Sequence, residues 1–350
     1  MRIDRLITLN VVRPLLRIRD AALSSAPRLP ILMYHSVSDD PEPGVKPYYR
    51  LCTSPQRFAQ HMQWLAHNGY RGVTLTDGLD WLKKPPTAAP PHRRTDLRTP
   101  ISELQSPISQ PVAITFDDGF RDFYTAAFPI LQQHGFRGTM FLVTGFIKDR
   151  RQGTTDHGPH ATDYRHTDAL THRRTDAPTC RRTVIDTKEF LTWPEVVELH
   201  RAGIEFGSHT VSHPVLYDLT PSELEFELRD CKAVIEDRLG APARAFAYPY
   251  AFPQADEEYT RLLREALQAI GYGCCVTTKA GRARLEDDPF ALPRLPVNSD
   301  DDGALFAAKL SGGYDWLAWP QAAVKSAKHA LRSKPKAVGR APVRLETSVG

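Results

Sequence analysis

Cysteine is scarce in this chain and nowhere paired. Five cysteines are spread over 350 residues, at Cys52, Cys180, Cys231, Cys274 and Cys275, without a C-x-x-C pair. Neither a disulfide framework nor a thiolate zinc site is expected, and buried free thiols are. No run approaches the roughly 18 consecutive apolar residues of a membrane-spanning helix. Residues 1–30 are half apolar, but Arg and Asp interrupt them before a signal-peptide core of ordinary length can form. A cytoplasmic protein, membrane-peripheral at most, is therefore expected. No nucleic-acid-binding motif is present, which argues against DNA or RNA as a partner.

Charge is unevenly placed. The net charge is +4, yet residues 1–30 hold six Arg against two Asp, and residues 321–350 hold seven Lys or Arg against one Glu. The body between them is acidic. Basic ends of this kind read first as solvated, mobile termini and second as contact with an anionic membrane or another polyanion; the tail "AAVKSAKHALRSKPK" (322–336) reads as an amphipathic helix that fits a membrane surface and plain solvent equally.

What the chain does have is an alternation of short apolar runs with amphipathic stretches. "ILMYHSV" (31–37) reads as a buried strand. "SPQRFAQHMQWLAHNG" (54–69) reads as a helix, with Ser54 capping it, Pro55 in its first turn, Phe58, Met62 and Leu65 on one face and Gly69 ending it. "PVAITF", "GTMFLVT", "IEFGSH", "RAFAYPY" and "GYGCCVTT" are further strands, separated by the helices "RDFYTAAFPILQQHG", "TWPEVVELHRAG", "TPSELEFELRDCKAVIEDRLG" and "ADEEYTRLLREALQAIG". Strands this apolar are covered on both faces, which predicts a parallel α/β core and, first among the choices, a closed or nearly closed barrel. Two segments break the rhythm, about 84–110 and 148–187, rich in Pro, Thr, His and Arg and both containing "HRRTD". They read as loop insertions on a core of residues 30–300, flanked by a basic segment (1–29) and an extension (301–350). His157, His160, His166 and His172 of the second insertion are taken as part of a disordered tract rather than as metal ligands.

The chemistry concentrates at strand ends. "AITFDDGF" (113–120) sets Asp117 and Asp118 side by side after an apolar run. Asp-Asp-Gly alone makes a turn; adjacent carboxylates can also divide cation binding and proton transfer between them. "HTVSHP" places His209 and His213 four apart after another strand, a spacing that lets two imidazoles converge on a borderline cation such as zinc. Tyr248 and Tyr250 end a third strand and His35 lies near the end of the first. In parallel α/β folds the carboxyl ends of the strands share one face, so these groups are expected to meet.

With "TFDDG", "HTVSHP" and "FAYPYA", residues 30 to 300 resemble the polysaccharide deacetylase family, also called carbohydrate esterase family 4 or the NodB homology domain. The resemblance implies a distorted, incomplete (β/α) barrel that removes N-acetyl groups from acetylated glycans with a divalent metal, Zn2+ first among the ions. It assigns Asp118, His209 and His213 as ligands, Asp117 as catalytic base and the Tyr250 N–H as a donor to the oxyanion, with the Tyr248 and Tyr250 rings shaping the groove. Three departures stand out. Ala247 replaces the arginine that often orients the base, Ala251 stands where glycine is common, and no leucine-x-histidine motif follows late in the chain. A subgroup resembling the deacetylases of exported poly-N-acetylglucosamine carries its histidine at the front, as in "LMYHSV". His35 is then the acid, approaching from the side opposite the base, and Arg294 in "LPRLPV" is nominated for the missing arginine. Trp193 can stack on a sugar or pack in the core. Two other functions remain open on these residues: opening of cyclic imides or ureides, and glycan binding without catalysis.

Overall fold

The computed structural model describes residues 2–12, 14, 27–84, 110–149, 188–318, 320, 321 and 323. The two expected insertions fall almost wholly outside these residues, as do Cys180, the four histidines of the second insertion and nearly all of the basic tail.

The apolar runs form strands and the amphipathic stretches form helices. Eight strands make the main sheet: β1 (Ile31–Tyr34), β2 (Tyr70–Val73), β3 (Gln110–Phe116), β4 (Thr139–Leu142), β5 (Glu205–Ser208), β6 (Ala245–Ala247), β7 (Cys274–Ala280) and β8 (Leu292–Pro296). Their pairings are all parallel and run β1-β8-β7-β6-β5-β4-β3, with β3 pairing back onto β1. Seven strands thus close a ring, while β2, among the described residues, pairs only with the amino half of β3. The expected barrel is present, one strand short of eight and closed.

The helices are α1 (Ile3–Ile7), α2 (Pro55–His67), α3 (Leu75–Lys83), α4 (Phe128–Gln133), α5 (Trp193–Arg201), α6 (Pro221–Leu239), α7 (Glu257–Ile270) and α8 (Gly303–Leu310). Helix α2 starts where its sequence predicts, with the Arg57 N–H donating to Ser54 Oγ and Pro55 in the first turn. Such a cap contributes about 1 kcal/mol. The stretch before α4 differs from expectation, since Phe123–Ala127 winds as a π-helical turn before the α-helix begins.

Side chains alternate between the two faces of a strand. Ile31, Ala113, Phe141, Ala245, Ala247 and Leu292 share the cluster that fills the barrel, whereas Leu32, Tyr34, Ile114 and Phe116 pack outward with the helices. Counted on by twos, His35, Asp117 and Arg294 fall on the inward side. The Phe141 ring fits because Gly207 of β5 faces it: a Cβ there would stand 2.6 Å from the ring and 2.8 Å from the Ala245 carbonyl oxygen. Gly207→Ala is expected to destabilise the fold by about 1–3 kcal/mol, read as a lower urea midpoint; an unchanged midpoint would show that the ring has room to retreat.

The described part of the basic amino-terminal segment is docked, not loose. Arg2 pairs with the fully buried Asp301 at 2.9 Å, Arg5 with Asp302 at 2.5 Å, and Trp316 donates to Thr8 at 3.1 Å. Arg2 and Lys309, the latter at 2.8 Å, both face the Asp301 carboxylate, which is therefore paired inside the protein. Nor does packing break at residue 300, since Leu305, Phe306, Leu310 and Tyr314 belong to the main cluster. Among the described residues no helix is long and apolar enough to cross a membrane, and Cys52, Cys231, Cys274 and Cys275 are buried free thiols.

Candidate active site

The carboxyl ends of β3, β5 and β6 bring the three motifs together. Strand β3 ends with the Asp117 N–H donating to the Tyr34 carbonyl at 3.1 Å, in line with β1. The next two residues turn sharply, at φ 77° for Asp118 and 78° for Gly119. This turn sends the neighbouring carboxylates to different partners. After β5, the His209 N–H bonds the Leu142 carbonyl at 2.8 Å, and the chain then passes through Thr210 and His213 at φ 75° and 57°. Among the described residues the non-glycine positions with positive φ are Asp118, Thr210, His213 and Tyr250. All four lie in the three motifs, and each such position carries a conformational cost that the surrounding contacts must offset.

Asp118, His209 and His213 are buried and converge. Asp118 Oδ1 lies 3.4 Å from His209 Nε2 and 3.3 Å from His213 Nε2, and the two imidazole nitrogens are 3.2 Å apart. His209 Nδ1 donates to the Ala247 carbonyl at 2.7 Å; because that oxygen can only accept, the lone pair of the neutral ring is at Nε2, facing the cluster. Bonds of about 2.0–2.1 Å to a four-coordinate ion make a tetrahedron with an edge of about 3.3 Å, so the spacing and chemistry of these donors fit a divalent cation such as zinc. These residues could hold one.

Asp117 turns from this cluster to Arg294. The guanidinium of Arg294, fully buried, donates to both oxygens of Asp117 at 2.7 and 2.8 Å, and its Nε donates to the Thr277 carbonyl at 3.1 Å. Burial pushes the Asp117 carboxyl up, but the charge and hydrogen bonds of Arg294, with His209 and His35 beside it, together outweigh burial and hold the group at about 2. Arg294 thus supplies the guanidinium that Ala247 cannot, reaching Asp117 from β8 with Phe141 below its plane at 5.9 Å. His35 Nε2 is 3.8 Å from Asp117 Oδ2. It stands beside the carboxylate, not across from it as expected, because β1 and β3 are adjacent in the closed ring and both side chains point inward.

Tyr248 does not line a groove: two residues after the outward-facing Phe246, it is enclosed with Phe252 and Tyr272, its hydroxyl 3.4 Å from that of Tyr259. Tyr250 is half-buried, with its ring 4.6 Å from that of His213. Trp193 is in the core, under the Arg238 guanidinium at 5.2 Å.

One supporting residue escaped the sequence reading. Glu227 of α6 accepts from the Val211 N–H at 2.7 Å, the Ser212 N–H at 2.9 Å and the Ser212 hydroxyl at 2.5 Å, fixing the loop that carries both histidines. Its signal was a carboxylate within the apolar stripe of Leu224, Leu228, Cys231 and Ile235.

Residues 105–274 match the sequence profile of the family described as Polysaccharide deacetylase. The matched stretch includes the TFDDG, HTVSHP and FAYPYA motifs and supports a carbohydrate deacetylase, in a family whose members generally use a metal. It is similar to "Putative polysaccharide deacetylase YxkH" of Bacillus subtilis, 26% identical over 281 residues, which span 80% of this chain and 75% of that one. Among solved structures, the deacetylase PplD of Streptococcus pyogenes in complex with acetate superposes with a TM-score of 0.57 at 22% identity, covering 81% of this chain and 99% of the other. IcaB from Ammonifex degensii gives 0.54 at 22% identity over 81% and 97%. These likenesses carry the barrel fold.

Proposed function

We propose that the protein is a metal-dependent hydrolase that removes N-acetyl groups from N-acetylhexosamine residues of a polysaccharide or lipid-linked glycan, with zinc as its ion. The observation that carries this reading is the division of labour in the DDG turn: Asp118 faces His209 and His213 while Asp117, a residue away, faces Arg294 and His35. A divalent ion held by Asp118, His209 and His213 would polarise the acetyl carbonyl and lower the pKa of water from about 16 toward about 7.

The chain's own groups do the rest. Asp117, kept ionised by Arg294, accepts the proton of the attacking water at a carboxylate oxygen. Arg294 also fixes the plane of that carboxylate through its paired bonds. His35 donates a proton to the leaving nitrogen, which cannot depart as an anion. The Tyr250 N–H is the donor assigned to the oxyanion, presented by the left-handed backbone at that residue. The absence of the usual arginine, which favoured a silent glycan-binding protein, loses its force once Arg294 fills that role.

The test is acetate release from N-acetylglucosamine oligomers, with cyclic imides and ureides screened in parallel. Acetate is expected to appear, to stop on chelation and to return with zinc. Metal-loaded protein that releases none from any N-acetylated oligomer, or that opens the rings instead, would overturn the reading.

A further inference from the structure

A polar knot lies beside the site, outside the groups already given a task. Asp122 follows the DDG turn by a few residues. Its Oδ1 accepts from the Val37 N–H at 3.1 Å and its Oδ2 from the Ser36 hydroxyl at 2.6 Å. Ser36 and Val37 come directly after His35, are fully buried, and pair with Cys52–Thr53. Lys188 enters the same knot, its side chain only 6% exposed, with Nζ 2.9 Å from Asp122 Oδ2, 2.5 Å from Ser36 Oγ, 2.7 Å from Ser38 Oγ and 2.6 Å from Asp40 Oδ2. The segment that carries Lys188 is strapped to the turn in its own right, since the Arg121 N–H bonds the Glu189 carbonyl and the Leu191 N–H bonds the Gly119 carbonyl, both at 2.9 Å.

We propose that Asp122, neutralised by Lys188, is the positioning residue that fixes His35 at its distance from Asp117; the inference rests on the reading of His35 as the acid. Up to Tyr34 the backbone is held by β1's pairing with β3 and β8. Beyond His35 the pairing partners change, and Asp122 is what ties the outgoing chain to the turn that bears Asp117 and Asp118. Asp122 is partly buried, its side chain 17% exposed, and Lys188 gives it a counter-charge while extending the clamp to Ser38 and Asp40. Without the clamp, the chain after His35 can shift by a fraction of its 3.8 Å separation from Asp117, and a displacement near 1 Å is enough to cost about a hundredfold in rate.

The experiment compares two acetyl substrates. An N-acetylglucosamine oligomer releases an amine that must be protonated, whereas p-nitrophenyl acetate releases a phenolate that leaves without a proton. For Asp122→Ala and Lys188→Met, kcat on the amide is expected to fall about 10- to 100-fold with KM and the aryl ester rate held within about twofold of the parent. Asp122→Asn, which keeps the volume and one acceptor, should fall between, and urea midpoints establish that each variant is folded. Equal losses on both substrates, or none on the amide, would overturn the proposal. His35→Ala separates the two levels: a selective loss on the amide there but not in the Asp122 variants sinks the positioning role alone, and an unselective His35→Ala sinks the assignment of the acid.

Discussion

Asp117→Asn protein is expected to take up metal as the parent does and to release acetate about a thousandfold more slowly. The two halves of this result have separate physical origins. On the proposed reading metal uptake depends on Asp118, His209 and His213, which the substitution leaves in place. The rate depends on a carboxylate able to accept a proton, and an amide of the same shape cannot. The variant also deprives Arg294 of its counter-charge in a buried site: one guanidinium N–H can still donate to the amide oxygen, while another faces the amide NH2. Leaving a buried charge unpaired costs up to about 3–5 kcal/mol, so the unfolding midpoint should drop together with the rate. Metal content, acetate release and thermal midpoint measured on one preparation check all three. Acetate release near the parental rate by the folded variant would remove Asp117 from the chemistry, and no change of pH should restore the lost activity.

Arg294→Met is expected to behave differently with pH. In the parent the Asp117 carboxyl sits at about 2, below its ordinary 3.8, because the guanidinium, aided by His209 and His35, outweighs the burial that pushes it up. With Arg294 removed, burial is opposed only by the His209 and His35 imidazoles, and the acid limb of the pH–rate profile should move upward by about 1–3 units. Activity in the mildly acidic range then falls and recovers toward neutrality, a recovery the Asn variant cannot show. The stability argument has the same sign structure. In the parent the depressed pKa contributes stability that is present above about 4 and lost as pH falls through about 2. In the Met variant the folded state prefers the neutral acid, so stability should decline as pH rises through the raised pKa. An unshifted acid limb would show that Arg294 does not hold Asp117 ionised.

Much of this arrangement was legible in the sequence, for reasons that also explain the gaps. Most ring strands bury both faces and read as short apolar runs. Strand β2, outside the ring, does not: Tyr70 is half-buried and Arg71 exposed, so no run announced it. Asp117, Asp118, His209 and His213 could be placed together because each closes a parallel strand, and parallel strands present their ends on one side. Arg294 was reachable by the same logic, as a charge closing an apolar segment, although no motif surrounds it. Tyr248 was misplaced because a motif was read as one surface, whereas alternation along β6 directs Phe246 and Tyr248 to the helices. Asp122 and Lys188 gave no periodic signal, being loop charges 66 positions apart whose meaning depends on folding. The docked amino terminus was hidden likewise, since a formal charge count cannot register that Arg2 faces Asp301.

The seam between β1 and β3 has a consequence for ancestry. Once the ring is closed, no strand is first or last, and a catalytic group can be supplied from either end of the gene and still arrive at the same address. His35 comes early and Arg294 late, yet β8, β1 and β3 are neighbours, and Asp117 meets both. What descent must preserve is therefore the angular order of groups around the rim, and the order in which the ribosome delivers them is free to drift.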